Sequence, residues 1–286
     1  MGHGMARFAI MWGATMALIA PTTGALIAPT PAPAAVPRAA GMTPFATTTT
    51  AAAATMTTGY AAFDRQRGVY TEWHLGNKRF RSASIVKLLI ALDLVWYRNP
   101  DQLPVADRRR LAAMLRSSND SAASYFWVRN GDRQIVQRMA ARLGLTNTVP
   151  PPPSLRGWWG YTAMSARDTI HIYRFILERA RKPIRDAIMW QLHHATERGS
   201  DGFYQNFGLM TFTPPRSVKQ GWSGFGDSPP PGANIPGLSL WTEALHTTGT
   251  VGPGDRYVAA VFTLHPRGTP VGVARDRTTR LTRSLG

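Results

Sequence analysis

Between Ile85 and Val95 the chain is apolar at every position except Lys87 and Asp93. A segment apolar all round predicts a helix in the interior rather than on the surface. It is expected to stop near Asn99-Pro100. Upstream, Gly59–Asp64 and Val69–His74 have the aromatic and β-branched content of strands, with Arg65–Gly68 as the turn between them. Downstream, Val105–Arg116 has helical rhythm, with Leu111, Met114 and Leu115 inward and Arg108-Arg109-Arg110 outward. Ser117–Asp120 interrupts that rhythm. Helices are predicted again over Ser121–Val128, Ile135–Leu143, Ser165–Leu177 and Ile184–His194, with an irregular stretch at Thr146–Trp159. After Gly199 the pattern shortens to strands at Ser217–Trp222, Thr242–Val251 and Tyr257–Leu264, then a terminal helix over Gly272–Leu285. Two strands, a helical block, three strands and a helix make an α/β (α+β) protein. Its antiparallel sheet is expected to be built from both chain ends, with the helices against it.

Lys87 does not fit its surroundings. A lysine is almost never fully buried without a partner. Ser84 stands three residues earlier, so the two side chains share a helix face. Burial disfavours the ammonium form and makes the amine a better proton acceptor. A hydroxyl beside such an amine is a nucleophile beside its base, and the positive end of the helix suits an oxyanion at the Ser84 N–H. The competing use of Ser84 is as a plain N-cap.

Composition adds an address. Phe8–Ala20 is an apolar run preceded by Arg7, the length of a signal-peptide core and too short for a membrane span. Residues 1–35 are therefore read as a signal peptide or N-terminal anchor, 36–57 as an Ala/Pro/Thr-rich linker and 58–286 as the folded domain. The protein is expected to be exported: secreted, periplasmic or associated with the cell envelope. Removing Arg7 and Arg38 from the net charge of +17 leaves +15, so the basic excess belongs to the domain and favours anionic envelope polymers or a lipid surface. No nucleic-acid motif accompanies it. The absence of cysteine excludes disulfides, thiolate metal sites and a lipid-bearing cysteine after the apolar run. No metal or other cofactor is expected. The His193-His194 pair has no acid at ligand spacing and is assigned to surface or core.

Three short motifs now fall in order: Ser84-Ile85-Val86-Lys87, Ser117-Ser118-Asn119 and Lys219-Gln220-Gly221. Together with Phe80–Ala83 before the first, Asp120–Ala123 after the second and Trp222 after the third, they resemble the class A β-lactamase and penicillin-binding-protein superfamily. The resemblance runs from about Gly59 to Leu285. It implies that Ser84 attacks a carbonyl and is acylated. Lys87 would take or relay the proton, and Ser117 would pass one to the departing nitrogen. Asn119 would hold an amide of the substrate side chain. Lys219 would supply positive potential for a substrate carboxylate, and Gly221 would let substrate lie against the strand. The backbone N–H groups of Ser84 and Trp222 would form the oxyanion hole. The implied partners are β-lactams or peptidoglycan-like peptides.

The chain departs from that pattern in three places. Gln220 stands where the family has Thr or Ser. The first two motifs are 33 residues apart, short for the family. Between Arg133 and Arg167 there is no Asp or Glu, so the glutamate that activates the deacylating water in class A β-lactamases has no counterpart. Poor deacylation is therefore expected. The alternatives are a β-lactamase with a different base and a non-catalytic wall-binding protein. Trp158-Trp159 either lines a ligand groove or packs the loop.

Overall fold

The computed structural model describes residues 56–285; the signal or anchor segment and all but the end of the linker lie outside them. The first hairpin is β1 (Thr57–Asp64) and β2 (Val69–His74). A two-residue strand β3 (Phe80–Arg81) leads through a 3-10 turn, Ala83–Val86, into α1 (Lys87–Val95). The helical block continues with α2 (Val105–Arg116), α3 (Asp120–Arg129) and α4 (Arg133–Leu143). After the irregular stretch come β4 (Ala163–Met164), α5 (Ala166–Arg174), extended by a π-helical turn at Phe175–Arg179, and α6 (Lys182–His193). The chain closes with β5 (Arg216–Ser223), β6 (Glu243–Val251), β7 (Tyr257–His265) and α7 (Val271–Arg283).

The sheet order is β2-β1-β7-β6-β5, antiparallel throughout. The N-terminal hairpin thus adds to strands from the C-terminal end, as the element order predicts. The join is pinned where β1 ends and β7 begins. There Arg256 donates to both oxygens of Asp64 and holds that carboxyl down to about 2. The α+β class follows directly from this arrangement.

Successive strand residues face opposite sides of the sheet. Ala244, Ala260 and Phe262 join the main core around α1, whereas Leu245 packs with Ala274 of α7 on the other face. Helix α1 is buried along its length except at Asp93, which is partly buried and paired with Arg138, as its sequence demands. Helices α2, α3, α4 and α6 surround it. Gly144 ends α4 in the left-handed conformation at φ 66°, where glycine carries no Cβ penalty. Among the described residues no helix is long and apolar enough to cross a membrane.

Two buried histidines are expected to make the sheet acid-sensitive. His246 lies against Phe262 and donates from Nε2 to the Arg81 carbonyl, while its Nδ1 accepts the Thr263 N–H. Burial pushes it down to about 3, and His265 to about 4. Because both folded values lie below the unfolded one, their stabilising contribution is complete above about pH 6.5 and is lost as pH falls toward those values. His193, pulled up by Asp255, works in the opposite direction. The melting temperature of His246→Gln is therefore expected to depend less steeply on pH between about 6.5 and 4 than that of the wild type. Parallel slopes in thermal melts would refute this account of His246.

Candidate active site

The candidate site is assembled where the 3-10 turn meets the edge strand β5 and the turn between α2 and α3. In a 3-10 turn side chains three apart eclipse each other. Ser84 and Lys87 are so placed, and Lys87 Nζ donates to Ser84 Oγ at 2.8 Å. Both residues are buried. The same Nζ reaches the Ser118 carbonyl at 2.6 Å, Ser118 Oγ at 3.2 Å and Asp120 Oδ1 at 2.5 Å. From β5, Lys219 Nζ donates to Ser118 Oγ at 2.8 Å and to the Gln220 carbonyl at 2.9 Å. Burial lowers Lys87 below the ordinary lysine range, opposed by the Asp120 carboxylate. Burial also lowers Lys219 well below that range, with the charge of Lys87 adding to it.

Backbone strain marks the same place. Ala83, just before the nucleophile candidate, has φ 45°, and Ser118 has φ 55°. Left-handed conformations cost a Cβ-bearing residue of order 1–3 kcal/mol and collect at functional sites.

The second motif is displaced by one residue from the sequence reading. Ser117 is not at the lysines. It closes α2, donating from Oγ to the Ala113 carbonyl at 3.0 Å and meeting Ser200 Oγ at 3.0 Å. Asn119 does not face the cleft either. It is the N-cap of α3, its Oδ1 accepting the Ala122 N–H at 2.8 Å. The residues that meet Lys87 are Ser118 and Asp120. The hydroxyl of Ser118 accepts from both lysines, which leaves its own proton free to point away from them.

The third motif lies on β5, where Lys219 reaches Ser118 and Gln220 turns away from the site. The Gln220 amide donates to the carbonyls of Gln205 and Phe207 at 2.9 and 2.7 Å, and its Oε1 is buried without a partner. Both N–H bonds are thus committed to backbone, and none is left for a substrate carboxylate. Gly221 serves packing: a Cβ there would lie 3.1 Å from the Ser82 carbonyl and 3.2 Å from Ile85. Its absence lets β5 close on the nucleophile turn. The Trp222 ring stacks on Phe203 at 4.6 Å, and its Nε1 donates to Asp201.

The irregular stretch folds over the site. Its end pairs with the start of the nucleophile turn through β3–β4, and the Ser82 N–H donates to the Thr162 carbonyl. Asp168 anchors its beginning, accepting from the Asn147 N–H and Thr148 Oγ1, so this acid stays outside the cleft. Trp158 stacks on Tyr161. Trp159 goes the other way: its ring centre is 4.7 Å from Lys87 Nζ, and its Nε1 donates to Ser124 Oγ. The two tryptophans therefore divide the roles between them, one packing the loop and one facing the site. Underneath, the buried Arg81 ties Ser223 to Thr242 and is held down to about 10 by burial. The His193–His194 pair sits at the end of α6, where His193 bonds the Arg216 carbonyl and Asp255. Among the described residues no group of three or more possible metal ligands occurs.

No family model matches the chain. Among solved structures, it superposes on a β-lactamase from Chitinophaga pinensis with a TM-score of 0.60 at 14% identity, covering 79% of this chain and 92% of that one. A class A β-lactamase from Mycobacterium abscessus gives 0.59 at 16% identity, covering 80% of this chain and 94% of that one. A PBP-A mutant, captured as an acyl-enzyme complex with penicillin G, gives 0.56 at 18% identity over 80% of this chain. These likenesses establish the β-lactamase fold. The proteins named "Putative lipoprotein LppW" from Mycobacterium tuberculosis and Mycobacterium bovis are 33% identical over 241 residues, 81% of this chain and 68% of theirs. The chain belongs to the LppW family.

Proposed function

We propose that this protein is a serine acyl-transfer enzyme of the cell envelope that forms an acyl-enzyme at Ser84 with β-lactams or peptidoglycan-like peptides and releases β-lactam products poorly. One observation carries the reading: the hydrogen-bonded line Ser84–Lys87–Ser118–Lys219, wholly buried between the nucleophile turn and β5. Lys87 takes the Ser84 proton as Oγ attacks the carbonyl carbon. The developing oxyanion is met by the backbone N–H groups of Ser84 and Trp222. Ser118 gives its proton to the departing nitrogen and is re-protonated through Lys87. Lys219 holds the Ser118 oxygen and adds positive potential. The envelope location rests on the apolar run after Arg7, the lipoprotein name of the relatives and a basic domain surface suited to anionic polymers or lipid.

Fluorescent penicillin followed by tryptic mapping tests this. The label is expected on the peptide Ser82–Lys87 and nowhere else. Label on another peptide would defeat the mechanism. The committed amide of Gln220 and the indole at Lys87 favour a second reading, a ligand-binding protein without chemistry. A folded protein that binds but takes no label would establish it.

A further inference from the structure

The cleft-facing residue after Ser118 and the capping Asn119 is an acid, and this changes what the cleft can recognise. An amide at that place offers both a carbonyl and N–H donors, whereas a carboxylate offers acceptors alone. Asp120 spends Oδ1 on Lys87. Its Oδ2 has no donor among the described residues, and its side chain is 69% exposed although the lysine beside it is wholly buried. A free acceptor oxygen therefore stands exposed beside Lys87, the lysine that bonds Ser84. Lys87 and Lys219 oppose a cation there, and two features offset them. Gln220 offers no donor to an anion, and Asp201 adds negative charge that reaches both Lys87 and Lys219.

We propose that Asp120 is a specificity residue that selects substrates carrying a protonated amine on the acyl side of the scissile bond, held by Oδ2. The proposal rests on the reading that Ser84 is acylated. A substrate carbonyl facing Asp120 meets lone pairs and is repelled; an ammonium makes a charge-assisted hydrogen bond there. The bland alternative is that Asp120 only balances Lys87 and the N-terminus of α3. That role affects all substrates equally.

The experiment compares two probes that differ by a single amine, α-aminobenzylpenicillin and benzylpenicillin. Acylation rates are measured on the full chain by intact-protein mass, at mildly acidic pH where the amine is protonated. The wild type is expected to prefer the amine-bearing probe by about fivefold, a modest figure because the carboxylate is exposed and screened. Added salt should compress that ratio. Asp120→Asn should bring it to within about twofold, while any effect through Lys87 alters both rates together and cancels. Equal rates in the wild type, or an unchanged ratio in Asp120→Asn, would overturn the proposal. If the variant does not fold, the wild-type ratio and its salt dependence decide. Labelling by neither probe would overturn the acyl-enzyme reading itself, and the inference with it.

Discussion

Ser84→Ala is expected to abolish β-lactam labelling, and Lys87→Ala and Ser118→Ala to slow acylation by about 10²-fold or more, while Ser117→Ala stays within about twofold of wild type. Their contacts separate the two serines. Lys87 bonds Ser84 directly, so its loss removes the one base within reach of the nucleophile. Ser118 bonds both lysines, so its loss cuts the route by which a proton returns to the leaving nitrogen. Ser117 touches neither lysine; its hydroxyl goes to Ala113 and Ser200. Loss of those bonds costs stability, of order 1 kcal/mol, rather than chemistry. Stopped-flow acylation with the four variants checks this. Equal loss in Ser117→Ala and Ser118→Ala would remove the argument from geometry. Because Lys87 pairs with Asp120, Lys87→Ala also frees that carboxylate beside the site, and rescue by added amines would identify the missing base.

The elements were legible because their signals are strong. The apolar run around Lys87, the strand-like residues of β1 and β2 on either side of a turn, and glycine after α4 each leave one sensible structure. The boundaries of β2 and α2 agree with the reading residue for residue. The sheet made from both chain ends followed from element order. The short β3–β4 pair was not legible, since two residues are too few to show any period. The one-residue displacement of the second motif has a clear cause. Ser117-Ser118-Asn119-Asp120 contains two serines, and a pattern that demands asparagine in third place picks the first. Helix chemistry picks the other: asparagine before an acid and a Ser-Ala-Ala run is a preferred N-cap, and a capping side chain is turned back onto its own helix. Capping would have moved the cleft-facing position to Asp120. The fate of Gln220 was hidden because its acceptors, the carbonyls of Gln205 and Phe207, come from a segment without regular pattern.

The other large effect concerns what happens after acylation. Water must be activated on a defined face of the ester, and over residues 134–166 the chain has no carboxylate to do it. The structure puts an indole against Lys87 instead, with Trp159 fixed by Ser124. Swinging another base in would require the loop to leave its anchors. Asp168 holds Asn147 and Thr148, Val149 and Ala163 exchange backbone bonds of 3.0 and 2.8 Å, and Trp127 Nε1 holds the Arg156 carbonyl at 2.8 Å. An indole also displaces the water it faces, because it is apolar and has spent its single N–H. A chromogenic cephalosporin is therefore expected to give a burst of about one product per enzyme and then almost none, far below ordinary turnover of about 1–10³ per second. Two variants separate the missing base from the blocked space. Trp159→Gly opens room for water without a base and should raise deacylation slightly. Trp159→Glu adds a carboxylate facing Lys87 and should exceed it by about 10²-fold, the scale of a positioned general base. Sustained turnover by the wild type would show that another group supplies the base, with Asp120, exposed and already bonded to Lys87, the first to replace.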